Sequence, residues 1–585
     1  MDKDHLSTIR AQSPKTFLFA SIAKTHLGEI AAVITTILLA NGRLTVRQLS
    51  KKTNLTPKAI KSAIVSLIQL NCLYYWQEND KTTFYSINEV GFNTLISSGD
   101  ILQHIIQQYG EAEAELVQNI LMNGHIKIDD YLRQFDDANQ RLTKEKIFLQ
   151  LFNDGWLKSL DIHAYHHICD IWDKLFQDTT KVTPRLPAQS EVKRVAEIQA
   201  TCKQKLAALL NTTHANIYIT ENGYKKLDPQ LVITFNLARF QKHTRTTAFV
   251  NLASSRIGLL TSKVYEAALH SIEKNSPELM HPFLQIPGLL NDPTAVKEFV
   301  EGEESSAVAA KQIVFTAKDI LRFFPKELDL TDSVVSKSHP GKRINLEADF
   351  PESNKRIKLE NGGSFLPVST TSDSDDADSR LSIIQQHLHL LATGTNTRFV
   401  EEISPGRYSI PFNRLTHQVK QFHYETLIKA TLNEQAFRIL RCIKQLKLAD
   451  EKTIANAVLL KEKTVRNEIY ALVKANVVEI QEIPRSLDRA ASKTFYLFRY
   501  KEYHRFESLI NSLIFDMAEI ITNIVDFKAE HRILLDKCNR VDVEGHEEEL
   551  LIESELQTLH GLQHREIKNL VRFNRTRFLR DIYTL

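Results

Sequence analysis

Basic side chains gather on two neighbouring segments near residues 461–493, in a pattern that suits contact with phosphate. These candidates are Lys461, Lys463 and Arg466 on the outward face of a helical segment, and Arg485, Arg489 and Lys493 at the tip of a strand pair. Cations so placed can neutralise nucleic-acid phosphates without reading bases. We therefore predict nucleic-acid contact here, although Glu462 and Asp488 dilute the charge and the same surface could dock a protein.

A second, smaller pair of cations lies near the N-terminus. Lys58 and Lys61 face outward from a helix whose apolar positions, Ile60, Ile64 and Leu67, recur at helical spacing. Two lysines on an amphipathic helix are ordinarily its solvated face, and a DNA contact is the alternative.

Enzymatic chemistry finds no support in the motifs of this chain. There is no GxGxxG pattern, and Gly341 and Lys342 lack the upstream glycine of a phosphate-binding loop. The histidines at 163, 166 and 167 have no second ligand pair, so ordinary packing is favoured over a metal site. We predict no catalytic residue, no cofactor and no metal.

The length and composition indicate a modular protein with a small net charge. The 585 residues suggest about four domains at roughly 150 residues each. A net charge of +3 is too balanced to imply a polyanion partner, so nucleic-acid contact must come from local patches. Five cysteines without a CxxC pair favour a reducing compartment. The longest apolar run, residues 30–40, is too short to cross a bilayer, and we expect no membrane partner.

The segments that position the cations follow the order of a winged helix. In the first module one helix ends at Asn41 and Gly42, and a third helix begins at Thr56 and Pro57. Strand-like residues 73–77 and 82–87 follow. The same order recurs around residues 116–157, less clearly between 192 and 273, and clearly between 434 and 500.

We predict a mainly α fold with small β-wings, made of tandem winged-helix domains and a C-terminal coiled-coil helical hairpin. The predicted boundaries are 1–98, 99–190 and 191–324 for the first three winged helices, 325–380 for a disordered acidic linker or loop, 381–500 for the fourth winged helix and 501–585 for the hairpin. No wing can be recognised in the sequence of the third module.

The predicted linker carries two basic clusters with the spacing of a bipartite nuclear import signal. The clusters consist of Lys342 and Arg343, followed by Lys355, Arg356 and Lys358. Such clusters also arise in solvated loops, and both interpretations stay open.

Beyond residue 500, apolar residues alternate steps of four and three, which is typical of a coiled-coil seam. The seam consists of Phe506, Ile510, Leu513, Met517, Ile520, Ile524 and Phe527. The chain can turn near Gly545 and return, so the seam serves either a hairpin within the chain or a partner. The returning arm carries cations interleaved with Leu570, Phe573 and Phe578, which suits an acidic protein groove, nucleic acid or a solvated face. Those cations are Arg565, Lys568, Arg572, Arg575, Arg577 and Arg580.

Residues 481–498, with residues 457–466 upstream, resemble the fourth winged helix of a known family. This family comprises the largest subunit of the heterotrimer specific to RNA polymerase III, which is related to TFIIE-alpha. Residues 28–29 and 38–45 are similar to the family's opening, and residues 256–265 match its third module. Lys493 and Phe498 stand where the family pattern usually has arginine and tryptophan.

The resemblance implies a non-catalytic polymerase subunit in the nucleus. It would join two heterotrimer partners near the polymerase clamp and work with the initiation factor TFIIIB. It would act on single- or double-stranded promoter DNA in recruitment, DNA opening and initiation. The genes concerned would be those for tRNA and 5S rRNA. The alternative is a free-standing winged-helix regulator that dimerises through its coiled coil.

Overall fold

The computed structural model describes most of the chain, and its described residues form two compact units. It describes residues 13–78, 82–183, 190–210, 217–221, 224–290, 292–325, 328, 330, 333, 373–394, 397–484, 494–501, 505–540, 543 and 545–585. The first unit comprises residues 1–245, 278–299 and 419–585, and the second comprises 246–277 and 300–418. The predicted import clusters and the wing-tip residues Arg485, Arg489 and Lys493 lie outside the described residues.

The first winged helix has the predicted order of elements. Its helices and strands are α1 (Pro14–Leu27), α2 (Glu29–Asn41), β1 (Leu44–Thr45), α3 (Val46–Thr53), α4 (Pro57–Gln69), β2 (Leu73–Gln77) and β3 (Thr83–Ile87). The helix starts follow from local chemistry: Thr45 and Gln48 cap α3 reciprocally, and the Thr56 hydroxyl accepts the Ala59 N–H at the start of α4. The predicted helix boundaries here are confirmed.

The second winged helix closes its sheet with a strand that comes much later in the chain. Its elements and insertion are α5 (Glu89–Gln108), α6 (Glu111–Asn123), β4 (His125–Lys127), α7 (Ile128–Leu132), α8 (Ala138–Asn153), β5 (Leu157–Ser159), α9 (Ile162–Tyr165), α10 (Ile168–Val182), α11 (Glu191–Leu210), β6 (Tyr218–Glu221), β7 (Tyr224–Leu227) and β8 (Val232–Phe235). Strand β8 lies between β4 and β5. The predicted boundary at residue 190 therefore cuts through this module, because α9 to α11 are inserted between paired strands.

The third winged helix lies in the second unit and extends beyond its predicted range. The elements of this part of the chain are α12 (Leu237–Arg256), α13 (Leu259–Ile272), a short 3-10 helix (Pro282–Gln285), α14 (Pro293–Ala309), β9 (Val314–Phe315), α15 (Ala317–Phe323), α16 (Asp373–Thr393), β10 (Glu401–Ser404) and β11 (Arg407–Ser409). Strand β11 pairs with both β9 and β10. Residues 401–409 thus form the missing wing rather than part of the fourth module, and residues 373–380 are helical rather than linker.

From Glu434 to Tyr500 the fourth winged helix has the predicted order of elements, but the predicted start at residue 381 is wrong, because residues 401–409 belong to the sheet of the third module. It consists of α17 (Phe412–Thr431), α18 (Glu434–Leu446), β12 (Leu448–Ala449), α19 (Glu451–Val458), α20 (Glu462–Lys474), β13 (Val478–Pro484) and β14 (Thr494–Tyr500). Its sheet has the order β12, β14, β13. Asp450 caps α19 by accepting the Thr453 N–H at 3.2 Å, and Ile443, Val465 and Leu472 lie in the core.

The C-terminal hairpin is an antiparallel pair of long helices. It contains α21 (Arg505–Glu530), α22 (Arg532–Cys538), α23 (Glu547–Leu550) and α24 (Glu553–Thr584). The Lys528 ammonium lies 2.5 Å from Glu566, and the Phe506 and Tyr583 rings have centroids 5.3 Å apart. These contacts set the two long helices in opposite directions. The predicted fold class, mainly α with small wings and a C-terminal hairpin, is confirmed.

The predicted seam packs within this chain. Leu513, Met517, Ile520 and Phe527 are buried and Phe506, Ile510 and Ile524 are half-buried. Helix α21 contacts α24 on one side and α1 on the other, where Phe17 and Phe515 have ring centroids 6.2 Å apart. Within the described residues, Phe506–Glu530 is the one helix long and apolar enough to cross a membrane, with a mean hydropathy of 1.4. Its seam residues pack against α1 and α24, and 28% of this apolar window is buried in the structure.

Candidate nucleic-acid interface

The third helix of the fourth module presents the predicted cations, but one of them is already paired. Val465, Ile469 and Leu472 point into the core. Lys461, Lys463 and Arg466 are accordingly exposed. The Arg466 guanidinium binds the Glu451 carboxylate through Nε at 3.1 Å and Nη2 at 2.9 Å, and this carboxylate raises the pKa of Arg466. Of the three predicted cations, Lys461 and Lys463 therefore remain available to an external anion.

Replacing Glu451 with glutamine releases Arg466 and is expected to raise affinity for short duplex DNA about twofold to threefold at low salt, because one more cation can meet a phosphate. Fluorescence anisotropy measures this change. Glu468→Gln is the matched control, since Glu468 lies on α20 itself and accepts a hydrogen bond from Asn433 instead of pairing with Arg466. The midpoint of urea unfolding should not move for Glu451→Gln, because exposed ion pairs add little stability. Equal gains in the two variants would mean that Arg466 does not reach DNA.

The described part of the fourth wing is more apolar than basic. Strands β13 and β14 pair from Val478 with Tyr500 to Pro484 with Thr494. The side chains exposed on this ribbon include Ile480, Ile483, Phe495 and Tyr496. Glu479 neutralises Arg499 through a 2.7 Å hydrogen bond. This base of the wing suits contact with protein at least as well as contact with phosphate.

The first module carries a stronger cationic surface than the sequence motifs indicated. Residues 30–77 contain six lysines and arginines and not one aspartate or glutamate. Arg43 is engaged, since its guanidinium lies 2.6 Å from Asp170 and stacks over Phe84 at 5.0 Å. The remaining five cations are exposed, and none of them pairs with a carboxylate among the described residues. We call these five the α3–α4 patch: Arg47, Lys51, Lys52, Lys58 and Lys61.

Of the α3–α4 patch, Lys58 and Lys61 were predicted from the sequence, and the three residues on α3 were not. Helix α3 contacts α4 in the helix-turn-helix arrangement. The overlooked signal was the acid-free run, which is a property of composition over a window and not of any motif. Without acidic neighbours, the patch keeps its full charge, in contrast to the fourth module.

The far end of α4 is occupied by the second module. Gln69 Nε2 donates to the carbonyls of Asn123 at 2.8 Å and His125 at 3.3 Å. Asn71 Nδ2 donates to Thr234 Oγ1 at 3.2 Å, and Thr234 in turn donates to the Gly124 carbonyl. The two modules are therefore joined at this end of α4, while Lys58 and Lys61 lie near its start.

The aromatic strand of the first wing packs against the histidines. His166 Nδ1 lies 2.6 Å from the Tyr75 carbonyl, and its ring meets Trp76 edge-on at 5.2 Å. His167 contacts Tyr74 in the same manner. Burial, reinforced by the charge of Glu89, raises the pKa of Tyr74 to about 12. Among the described residues, no group of three potential ligands is placed to hold a metal.

Two cations of the C-terminal arm are structural. Arg577 is 3% exposed and binds Asp100, and it also donates to the Ile96 carbonyl at 3.4 Å. Arg580 is buried beside Asp581 and reaches Asn93 Oδ1 at 3.5 Å. Arg565 stacks over Phe527 at 4.7 Å. Arg577 and Arg580 therefore fasten the hairpin to α5 and do not form part of a nucleic-acid surface.

Comparison with known proteins gives matches along most of the chain. Family models match at residues 17–78 (RNA polymerase III subunit RPC82 helix-turn-helix domain), 146–419 (RNA polymerase III subunit RPC82), 424–500 (POLR3C C-terminal winged-helix domain) and 533–584 (RNA polymerase III subunit RPC3 helical hairpin domain).

Relatives that carry the name DNA-directed RNA polymerase III subunit RPC3 align over nearly the full length. The protein of Lodderomyces elongisporus is 62% identical with 100% of both chains covered, and that of Candida albicans is 52% identical with the same coverage. The Saccharomyces cerevisiae protein is 34% identical, over 98% of this chain and 94% of its own.

Proposed function

Since this chain belongs to the RPC3 family of RNA polymerase III subunits, we propose that it is a non-catalytic subunit that guides promoter DNA during initiation. A role in RNA polymerase III transcription, with other subunits of that enzyme as partners, comes with the family. Promoter recruitment, DNA opening and service to tRNA and 5S rRNA genes are the proposed finer roles. The absence of a phosphate-binding or dinucleotide motif from the sequence supports a non-catalytic part.

The α3–α4 patch is the main observation that supports a contact with DNA. Five exposed cations on two contacting helices, with no acid between residues 30 and 77, create a local positive field that the near-neutral chain lacks as a whole. Lysine and arginine bound to phosphates release counterions and hold a duplex without selecting its sequence. We propose that this patch holds the DNA backbone, with Lys461, Lys463 and Arg466 of the fourth module as a weaker second contact.

The remaining partners and the compartment complete the proposal. Two heterotrimer subunits, the polymerase clamp and TFIIIB are the proposed protein partners, and the nucleus is the proposed compartment. The exposed Ile480, Ile483, Phe495 and Tyr496 of the fourth wing support a protein contact there. A homodimeric regulator gains no support from the seam, because α1 and α24 of the same chain already cover it.

Gentle purification of the tagged chain from cells tests the subunit role. We expect a large multi-subunit polymerase to be recovered with it, and mass spectrometry identifies the components. Recovery of a lone homodimer would contradict the proposal.

Charge reversal compares the two DNA contacts. For Lys58→Glu with Lys61→Glu, we expect affinity for a short duplex to fall about tenfold or more and the slope of log K against log salt to drop by about 1.8, which corresponds to two lost phosphate contacts. Lys461→Glu with Lys463→Glu is the matched variant and should have a smaller effect, because Glu462 and Glu451 already offset its charge. Anisotropy titrations of the full chain at several salt concentrations, with single- and double-stranded probes, measure both. An unchanged salt slope in the Lys58 and Lys61 variant would mean that the α3–α4 patch does not contact DNA.

A further inference from the structure

The fourth module contains an open cleft that is separate from the cations on α20. It lies between α18 and α19, beside the α17 residue Glu425, and has a volume of about 740 Å³. Its lining includes Arg438, Arg441, Lys444, Leu446 and Val458. We call it the α18–α19 cleft. Its volume is within the range of about 300–1,000 Å³ that is typical of clefts for small ligands, so it can accommodate a few side chains of a partner.

The positive charge of the cleft is only partly used within the chain. Lys444 is engaged, because its ammonium lies 2.5 Å from Glu425 and over the Tyr500 ring at 5.2 Å. Arg438 and Arg441 are exposed and have no carboxylate partner among the described residues. The Arg438 Nη2 donates to the Val458 carbonyl at 3.3 Å, which holds this guanidinium at the wall of the cleft. Two arginines are thus left to bind an external anion.

Apolar side chains stand beside these arginines. Leu446 lines the cleft and is 41% exposed, and Leu459, directly after the lining residue Val458, is 86% exposed. The backbone of Leu459 is left-handed, with φ of +59°. A leucine in this conformation costs backbone energy and here gains almost no burial in return. Contact with an apolar partner would bury it.

We propose that the α18–α19 cleft binds an acidic, amphipathic peptide segment of a partner protein. Carboxylates of this segment pair with Arg438 and Arg441, and its apolar side chains cover Leu446 and Leu459. Arginine forms bidentate contacts with carboxylates, which fixes the orientation of such a segment. Nucleic acid fits less well, because its phosphate backbone makes no apolar contact with the two leucines. This inference does not depend on the proposed contact with DNA.

The test uses the full chain and a fluorescein-labelled synthetic peptide in which glutamates and leucines occupy opposite faces of a helix. We expect Arg438→Glu with Arg441→Glu to raise the Kd of this peptide about tenfold or more, since both charge pairs are replaced by repulsion. Leu459→Asn should raise it about threefold, because asparagine tolerates the left-handed backbone and removes the apolar contact. Lys461→Glu with Lys463→Glu carries the same charge change and should raise the Kd much less, because neither lysine lines the cleft.

Two comparisons decide the outcome. A peptide in which serines replace the leucines should bind several-fold more weakly, and a single-stranded oligonucleotide of equal charge should not compete. The proposal is overturned by absence of binding, by equal losses in the Lys461 and Lys463 variant, or by an oligonucleotide that displaces the peptide, since the last result makes the cleft a nucleic-acid site. Unchanged circular dichroism of each variant ensures that a loss reports on the cleft.

Discussion

Gly124→Ala is expected to destabilise the first two modules by about 1–3 kcal/mol more than Gly42→Ala does. Both glycines have a positive φ, of +76° and +75°, whereas their ψ angles are −49° and −137°. An alanine pays a conformational cost of about 1–3 kcal/mol at either position, because neither conformation is one that L-residues readily adopt. At Gly124 the added Cβ would also lie 2.0 Å from the Gln69 carbonyl oxygen, whereas at Gly42 it meets nothing within 4 Å. Forcing these backbones apart adds roughly 1–3 kcal/mol.

Tryptophan fluorescence during urea unfolding measures this difference, because Trp76, Trp156 and Trp172 all lie in or beside the first two modules. Separation of the modules would also expose the Asn123 and His125 carbonyls that Gln69 satisfies. Equal shifts in the midpoints for the two alanine variants would show that the contact between α4 and Gly124 is absent in solution.

Met517→Ala is expected to cost about 2–5 kcal/mol, the usual range for truncating a fully buried methionine. Met517 is 0% exposed and lies in one core with Leu18, Phe19 and Phe573. The cavity would therefore loosen α1 and α24 together with α21. Tryptophan fluorescence should report earlier unfolding of the first module even though residue 517 is far from it in sequence.

Val525→Ala on the same helix is the control, because Val525 is 38% exposed and its truncation should cost well under 1 kcal/mol. A Met517→Ala protein with an unchanged midpoint would mean that the seam is free in the isolated chain. The seam would then be available to a partner, as the alternative interpretation of its heptads holds.

The parts of the fold that sequence predicts best are those set by neighbours in the chain. The start of α4 at Thr56 and Pro57 was predicted, and the Thr56 cap is present in the structure. Side chains of Thr45 with Gln48 and of Asp450 fix the starts of α3 and α19 in the same local way. Pairing between distant strands was not predictable in this way. Strand β8 joins β4 and β5 across a helical insertion, and β11 joins β9 across almost a hundred residues. Local periodicity contains no information on either partner, so the middle boundaries were wrong.

The same distinction applies to the candidate interface. On α4 and α20 the apolar residues at helical spacing face the core, so the positions between them face outward. As predicted, the exposed side chains include Lys58, Lys61, Lys461 and Lys463. Which cations are already paired depends on tertiary contacts. Glu451 reaches Arg466 from a different helix, and Asp100 meets Arg577 from the opposite end of the chain. Charge patterns along a single helix could not reveal these partners.

Packing of α1 against α21 has a consequence for synthesis of the protein. The ribosome finishes α1 almost 500 residues before α21, a delay of roughly 25–100 s at about 5–20 residues per second. During this interval the apolar surface of α1 that α21 later covers is open to solvent or to a chaperone. The N-terminal module therefore reaches its final packing only after translation of the C-terminal hairpin. In a prematurely terminated chain this apolar surface would stay exposed and would distinguish that chain from the complete protein.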